Sequence, residues 1–263
     1  MPGDSEREVV VSTHVVLLLD PMAAAPDYWD AVLAHLGDVP VVHYRRTGAT
    51  DLDDELPGVV SLLASTGAQR VIAVGASVGG LMARRLATVL ALAGVVLVDS
   101  AMEDFPGDEP LPEQVIAALH DEVAHNEEGI AVELTHARLH EDRLRGSMAG
   151  VPLVVLARGT NDWPVEAQVA TSLAEAWRRG QERLCGLSDR SVLVIAQGSG
   201  HHVAQERPEL VAAATRHMVA PGEVTAEDLL RTARSAQDIP LRVVGEEDRW
   251  AGTDSVPARS SKE

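Results

Sequence analysis

The chain has 263 residues and carries 40 acidic side chains against 22 basic ones, which gives a formal net charge of −18. That charge repels phosphate backbones and anionic lipid surfaces, so we expect neither nucleic acid nor a membrane as a partner. A single cysteine excludes an intramolecular disulfide framework, and the first eight residues are polar and acidic rather than typical of a secretory signal. We therefore expect one large cytoplasmic domain.

Short runs of Val, Ile and Leu alternate with longer helical patterns, which is typical of a mostly parallel sheet covered by helices on both faces. The predicted strands cover residues 14–19, 39–42, 71–74, 94–98, 151–156 and 191–196, with 9–11 as an earlier strand or the start of the first. The predicted helices cover residues 27–36, 52–65, 78–92, 164–185 and 207–219. This alternation predicts a doubly wound α/β domain over residues 1–220.

Two regions depart from the alternation. Residues 101–150 contain helical patterns but no strand, and a connection of this length predicts a helical cap inserted within the domain. Residues 221–263 form a C-terminal extension, in which a short helix to about residue 236 precedes a polar end. We expect that extension to be partly disordered.

The most informative segment joins the third main strand to a helix through Gly75-Ala-Ser77-Val-Gly79. A Gly-x-Ser-x-Gly turn between a buried strand and a helix exposes the serine as a nucleophile, and it aims the N–H of Val78 at the oxyanion that forms. A dinucleotide phosphate loop is the first alternative, but the glycine spacing does not match its pattern. An inert structural turn is the second.

The general base and its acid are expected on later loops. His201 follows the last strand within Gly198-Ser-Gly-His-His, and we favour it over its neighbour His202. Asp162 lies on the loop after the fifth main strand and gives the chain order Ser, Asp, His. Asp99, at the end of strand 94–98, is the rival acid.

Taken in order, these motifs make the chain similar to the α/β-hydrolase superfamily over roughly residues 9–220, and to its small-cap members near His201. The resemblance implies the α/β-hydrolase fold and a serine hydrolase that acts on a small-molecule substrate. It would cleave an ester, thioester or related acyl group without a cofactor. Ser77 would attack the carbonyl, with His201 as base and Asp162 as acid. The backbone N–H groups of Met22 and Val78 would form the oxyanion hole.

The chain departs from the family where members usually carry His-Gly, because Asp20-Pro21 stands there. A carboxylate at this point would repel a developing oxyanion unless it pairs, and Arg45 or Arg46 could neutralise it. The departure keeps two alternatives open. One is C–C or C–O bond chemistry at the same site, as in specialised metabolism, and the other is a non-catalytic fold member that binds a ligand.

Other candidate residues carry less information. Trp29 and Trp163 could line the substrate pocket, with core packing as the alternative for both. His136 and His140 have the spacing of a two-histidine metal half-site, but no matching third ligand follows. We therefore expect no metal.

Overall fold

The structure is a computed structural model that describes residues 14–47, 51–102, 105, 111–113, 115, 148–163 and 165–219. The predicted strand 9–11, most of the predicted cap, the pair His136 and His140, and the extension 221–263 lie outside the described residues.

Six parallel strands form one sheet in the order β2-β1-β3-β4-β5-β6. Their bounds are β1 His14–Leu19, β2 Val41–Tyr44, β3 Arg70–Ala76, β4 Gly94–Val98, β5 Leu153–Arg158 and β6 Ser191–Ala196. The register places Ala76 beside Val98 and Val98 beside Leu156. Strands β3, β4 and β5 therefore end at nearly the same level, and the loops that follow them lie at one edge of the sheet.

Six helices flank the sheet in the described part of the chain. Their bounds are α1 Asp30–Leu36, α2 Leu52–Thr66, α3 Val78–Leu86, α4 Ala167–Cys185, α5 Val203–Glu206 and α6 Pro208–Val219. The side chain of Asp51 caps α2 by accepting a hydrogen bond from the Asp53 N–H at 2.9 Å, and Gly67 ends that helix in the left-handed conformation.

Two hydrophobic clusters lie on opposite faces of the sheet. One packs α1, α5 and α6 against residues such as Val16, Val74 and Val96, and the other packs α3 and α4 against residues such as Leu17 and Leu97. Neighbouring strand residues thus point into different clusters, which explains why the strands are continuous apolar runs. The doubly wound parallel architecture expected from the sequence is confirmed.

Strands 14–19, 94–98 and 191–196 have the bounds that the sequence predicted, but several helices are shorter. The helix that follows β1 begins at Asp30 rather than 27, and α3 ends at Leu86 rather than 92. Turns occupy the difference, since the sequence pattern is amphipathic but does not mark the last hydrogen-bonded turn. Among the described residues, no helix has the length and apolar character needed to cross a membrane.

Candidate active site

Ser77 lies on the sharp turn between β3 and α3. Its backbone has φ 48° and ψ −115°, in a region that non-glycine residues rarely adopt. Strain of this kind costs on the order of 1–3 kcal/mol and is concentrated at functional sites. The serine side chain is half-buried, above the carboxyl edge of the sheet. The turn therefore has the nucleophile-elbow geometry that the sequence predicts.

The glycines around Ser77 are required by close backbone contacts. A Cβ at Gly75 would overlap the carbonyl oxygen of Gly79, and a Cβ at Gly79 would overlap the carbonyl oxygen of Leu19. A Cβ at Gly80 would meet the hydroxyl of Ser100. Only glycine lets the turn pack this closely against the end of β1 and the segment after β4.

The segment after β4 wraps around the elbow. The Ser77 N–H donates to the carbonyl of Val98 at 3.0 Å, and the Ser77 carbonyl accepts from the Ala101 N–H at 3.0 Å. Asp99, which lies between these two contacts, has a positive φ of 40°. Ser77 and Asp99 are therefore fixed relative to each other by backbone hydrogen bonds.

The imidazole of His201 pairs with Asp99 and not with Asp162. Nδ1 of His201 lies 2.6 Å from Oδ2 of Asp99, whereas Asp162 accepts a hydrogen bond from the backbone N–H of His201 at 3.2 Å. The expectation that Asp162 contacts the ring is corrected by this geometry. The physical reason is that β4 and β5 are neighbours, so both carboxylates reach the His201 loop and chain order does not separate them.

Asp99 is fully buried and accepts four hydrogen bonds. Besides His201, the donors are Trp177 Nε1 at 2.8 Å, the Arg158 N–H at 3.0 Å and Arg158 Nε at 2.8 Å. Burial alone would raise the pKa of Asp99, but the hydrogen bond from His201 and the charge of Arg158 hold that pKa below its ordinary value. The carboxylate is therefore ionised at neutral pH and can orient the imidazole.

Hydrogen bonds hold the loop that carries His201 on two sides. The carbonyl of Ser199 accepts from the N–H groups of Gly159 and Thr160 at 2.9 and 3.0 Å, and the Gly200 N–H donates to Glu206 Oε2 at 2.8 Å. A Cβ at Gly200 would overlap the Asp162 carboxylate. A side chain before His201 would therefore displace the Asp162 carboxylate. The exposed His202 has no hydrogen bond to Asp99.

The expected oxyanion donors lie beside the elbow. Val78 occupies the first turn of α3, and the half-buried Met22 packs against the small cluster of Leu52, Val78 and Leu81. Among the described residues, neither Met22 N–H nor Val78 N–H donates to a protein acceptor. Both N–H groups are therefore unpaired within the described residues, as the predicted oxyanion role requires.

Asp20 pairs with His43, a partner that the sequence did not single out beside Arg45 and Arg46. Oδ1 of Asp20 lies 2.6 Å from Nε2 of His43 and 2.9 Å from Nε1 of Trp29. Arg45 instead donates to the Pro26 carbonyl, and Arg46 lies 4.0 Å from Glu55. The Asp20 carboxylate is thus held by two donors next to the oxyanion loop.

The two tryptophans proposed for the pocket have different environments. Trp29 is 1% exposed and packs in the core, which contradicts a role in lining an open pocket. Trp163 is half-buried, stacks on Phe105 with ring centroids 5.9 Å apart, and carries the Arg158 guanidinium over its face at 4.8 Å. Trp163 thus adjoins the Asp99 side of the site.

Tyr28 is a further residue near the site that the sequence analysis did not identify. It is 4% exposed and makes edge contacts with Trp29 and, at 6.4 Å between centroids, with His202. Burial, followed by the charges of Asp99 and Asp20, raises the pKa of Tyr28, so its hydroxyl stays protonated. No sequence motif marks this position. Within the described residues, no group of three His, Cys, Asp or Glu side chains is arranged to hold a metal ion.

Comparisons with known proteins find similarity in three dimensions only. No protein-family model and no curated protein sequence matches the chain. A "probable hydrolytic enzyme" from Pseudomonas aeruginosa is similar in structure, with 16% identity, a TM-score of 0.56 and coverage of 80% of this chain and 86% of that one. A lipase-esterase related protein from Clostridium acetobutylicum gives 11% identity, a TM-score of 0.51 and coverage of 79% and 95%.

MenH from S. aureus is also similar, at 12% identity with a TM-score of 0.50, over 79% of this chain and 95% of that one. At these identities the similarity concerns the fold. The parallel six-stranded sheet with flanking helices agrees with it. The chain has the α/β-hydrolase fold, as the sequence resemblance implied.

Proposed function

We propose that the chain is a serine hydrolase that cleaves an ester, thioester or related acyl substrate through an acyl-enzyme at Ser77. The observation that carries the proposal is the combination of a strained serine at the elbow with the pairing of His201 to the buried Asp99. Asp99 takes the role of the acid in place of Asp162. The fold similarity to hydrolytic proteins supports the proposal.

In the proposed reaction, the Ser77 oxygen attacks the acyl carbonyl while Nε2 of His201 accepts the serine proton. Asp99 holds the ring through Nδ1 and stabilises the imidazolium that forms. The N–H groups of Met22 and Val78 bind the oxyanion. The tetrahedral intermediate expels the alcohol or thiol, which takes the proton from His201, and water then hydrolyses the acyl-enzyme by the same steps.

The pairing of Asp20 with His43 and Trp29 removes the main objection to this mechanism. A free carboxylate beside the oxyanion loop would oppose the negative charge that develops on the substrate. Hydrogen bonds from two side chains direct the Asp20 oxygen toward the core and toward β2. Met22 can then donate without competition from Asp20.

We also propose that residues 101–150 form a cap beside the site. The described residues Leu111 and Val115 pack with Leu173 of α4, and the same cluster contacts Phe105 and Trp163. This contact lies next to the indoles that surround Arg158, on the carboxyl edge where Ser77 emerges. Ligands of open α/β sheets bind outside that edge.

Labelling with a fluorophosphonate tests the proposal directly. We expect wild-type protein to gain one adduct, located on Ser77 by peptide mass spectrometry, and to hydrolyse members of a panel of acyl esters and thioesters. Ser77→Ala should fold normally, lose the adduct and lose turnover by several orders of magnitude. Ser100→Ala is the matched control, since Ser100 is fully buried behind the elbow. A wild-type protein with neither adduct nor turnover would favour the non-catalytic alternative.

A further inference from the structure

Arg158, the last residue of β5, contacts both carboxylates near His201. Its Nε donates to Oδ2 of Asp99 at 2.8 Å, and its Nη1 donates to Oδ1 of Asp162 at 2.9 Å. Its backbone N–H donates to Asp99 as well, at 3.0 Å. The planar guanidinium thus spans two acidic side chains with donors in fixed directions.

These contacts close a ring of four residues. From Arg158 the ring passes through Asp99 to Nδ1 of His201, and then from the His201 backbone N–H through Asp162 back to Arg158. One carboxylate therefore holds the imidazole while the other holds the main chain of the same histidine. The position of His201 depends on both contacts.

Two indoles fix the plane of the guanidinium. The Arg158 carbon Cζ lies 4.8 Å from the centroid of Trp163 and 4.9 Å from that of Trp177, and the side chain is 9% exposed. Trp177 also donates to Asp99. A lysine could supply the charge at this place, but it could not direct separate donors to two carboxylates while stacking between rings.

We propose that Arg158 is the positioning residue of the active site, because its guanidinium donates to Asp99 and joins Asp99 through Asp162 to the backbone of His201. This inference rests on the proposed function. Arg158 does not touch the reacting atoms and acts through Asp99 and Asp162. It converts two adjacent carboxylates, which would repel each other, into one support for the general base.

The test compares Arg158→Gln and Arg158→Lys with Arg178→Gln, a control on the exposed face of α4 that removes only the ion pair with Glu182. We expect Arg158→Gln to lower kcat by about 10²-fold with little change in KM, and Arg158→Lys to lie between it and wild type. The acid limb of the pH–rate profile should move to higher pH in Arg158→Gln, since Asp99 then binds a proton more readily.

Four other titratable groups face the pair of Asp99 and His201, and they are unchanged in all three variants. They are Asp162, His202, Glu206 and Tyr28. Wild-type kcat and an unmoved acid limb in Arg158→Gln would overturn the proposal. If Arg158→Gln fails to fold, kcat and the acid limb are measured in Arg158→Lys instead. Wild-type values of both in Arg158→Lys would then contradict the proposal.

A readout that needs no substrate separates this inference from the proposed function. The ring N–H proton of His201 in ¹H NMR should give a low-field signal in wild type and Arg178→Gln, and a broadened or lost signal in Arg158→Gln. Failure of Ser77 to react with fluorophosphonate in wild type would contradict the proposed function alone. An unchanged His201 signal in Arg158→Gln would contradict the positioning role alone.

Discussion

Two aspartate–histidine pairs flank the strand that carries Ser77, and they have the same short separation of 2.6 Å. In the pair of Asp99 and His201, the carboxylate is fully buried and accepts four hydrogen bonds, one of them from the Arg158 guanidinium. In the pair of Asp20 and His43, the carboxylate is 11% exposed and the histidine is 24% exposed.

Each pair is completed by an indole N–H, from Trp177 in the first and from Trp29 in the second. The difference lies in what else holds the carboxylate. Asp99 is held by a cation and by the main chain of β5, which in the proposed mechanism would let it orient the general base. Asp20 is held by the side chains of His43 and Trp29, which in the same mechanism would direct its carboxylate away from the oxyanion. We propose that similar geometry supports catalysis in the first pair and protects the oxyanion site in the second.

The two pairs should differ most in the loss of kcat that follows removal of their histidines. We expect His201→Ala to lower kcat by several orders of magnitude, because comparable bases lose on the order of 10⁶-fold when removed. His43→Ala should change kcat by no more than about tenfold, since it leaves the acid–base pair intact. Steady-state kinetics on the best ester of the panel measures both, and His202→Ala serves as the control with a mild effect. Comparable losses in His201→Ala and His43→Ala would show that the pairs do not differ in role.

Removal of the indole donors sharpens the comparison. Trp177→Phe deletes the hydrogen bond to Asp99 and should lower kcat by about tenfold, because the carboxylate is then less firmly held. Trp29→Phe deletes the equivalent bond to Asp20 and should leave kcat within about threefold of wild type, near the error of such comparisons. Both should lose about 1–3 kcal/mol of stability in urea denaturation, because each leaves a buried acceptor with one fewer donor. A larger kcat loss in Trp29→Phe would reverse the roles.

The smallest expected effect concerns the free energy of unfolding, whose pH dependence should contain a contribution from Asp99. The pKa of Asp99 is depressed in the folded protein, so its contribution to stability is present above the unfolded value of about 3.9 and is lost as pH falls through the folded value. Urea denaturation from pH 7 to pH 3 should therefore show a steeper loss for wild type than for Asp99→Asn. Parallel curves for the two proteins would indicate that Asp99 is not ionised in the native state.

The sheet was predictable because strands buried on both faces are continuous apolar runs, and the elbow was predictable because its glycines and serine lie within five residues. The side-chain contacts of Asp99 were not predictable, since they join residues that are far apart in the sequence. Asp99 and His201 are 102 residues apart, and Trp177 is 78 residues from Asp99. The choice between Asp99 and Asp162 depends on the positive φ of Asp99 and on the position of Arg158, which no local pattern marks.

For Asp20 a usable signal was present. His43 directly follows the predicted strand 39–42, and a strand order with β2 beside β1 brings its side chain toward the end of β1. The positive charges of Arg45 and Arg46 made these residues the candidate partners of Asp20. Formal charge, however, does not show in which direction a side chain points. Arg45 contacts the Pro26 carbonyl and Arg46 lies near Glu55 of α2.

The rate at which Ser77 reacts with a fluorophosphonate in three aspartate variants tests the central claim most directly, because it needs no knowledge of the substrate. Asn in place of the true acid favours the wrong imidazole tautomer and costs about 10⁴-fold in comparable enzymes. We predict a loss of that order in Asp99→Asn, and rates within about tenfold of wild type in Asp162→Asn and Asp20→Asn. A loss of that order in Asp162→Asn, with Asp99→Asn close to wild type, would contradict the account.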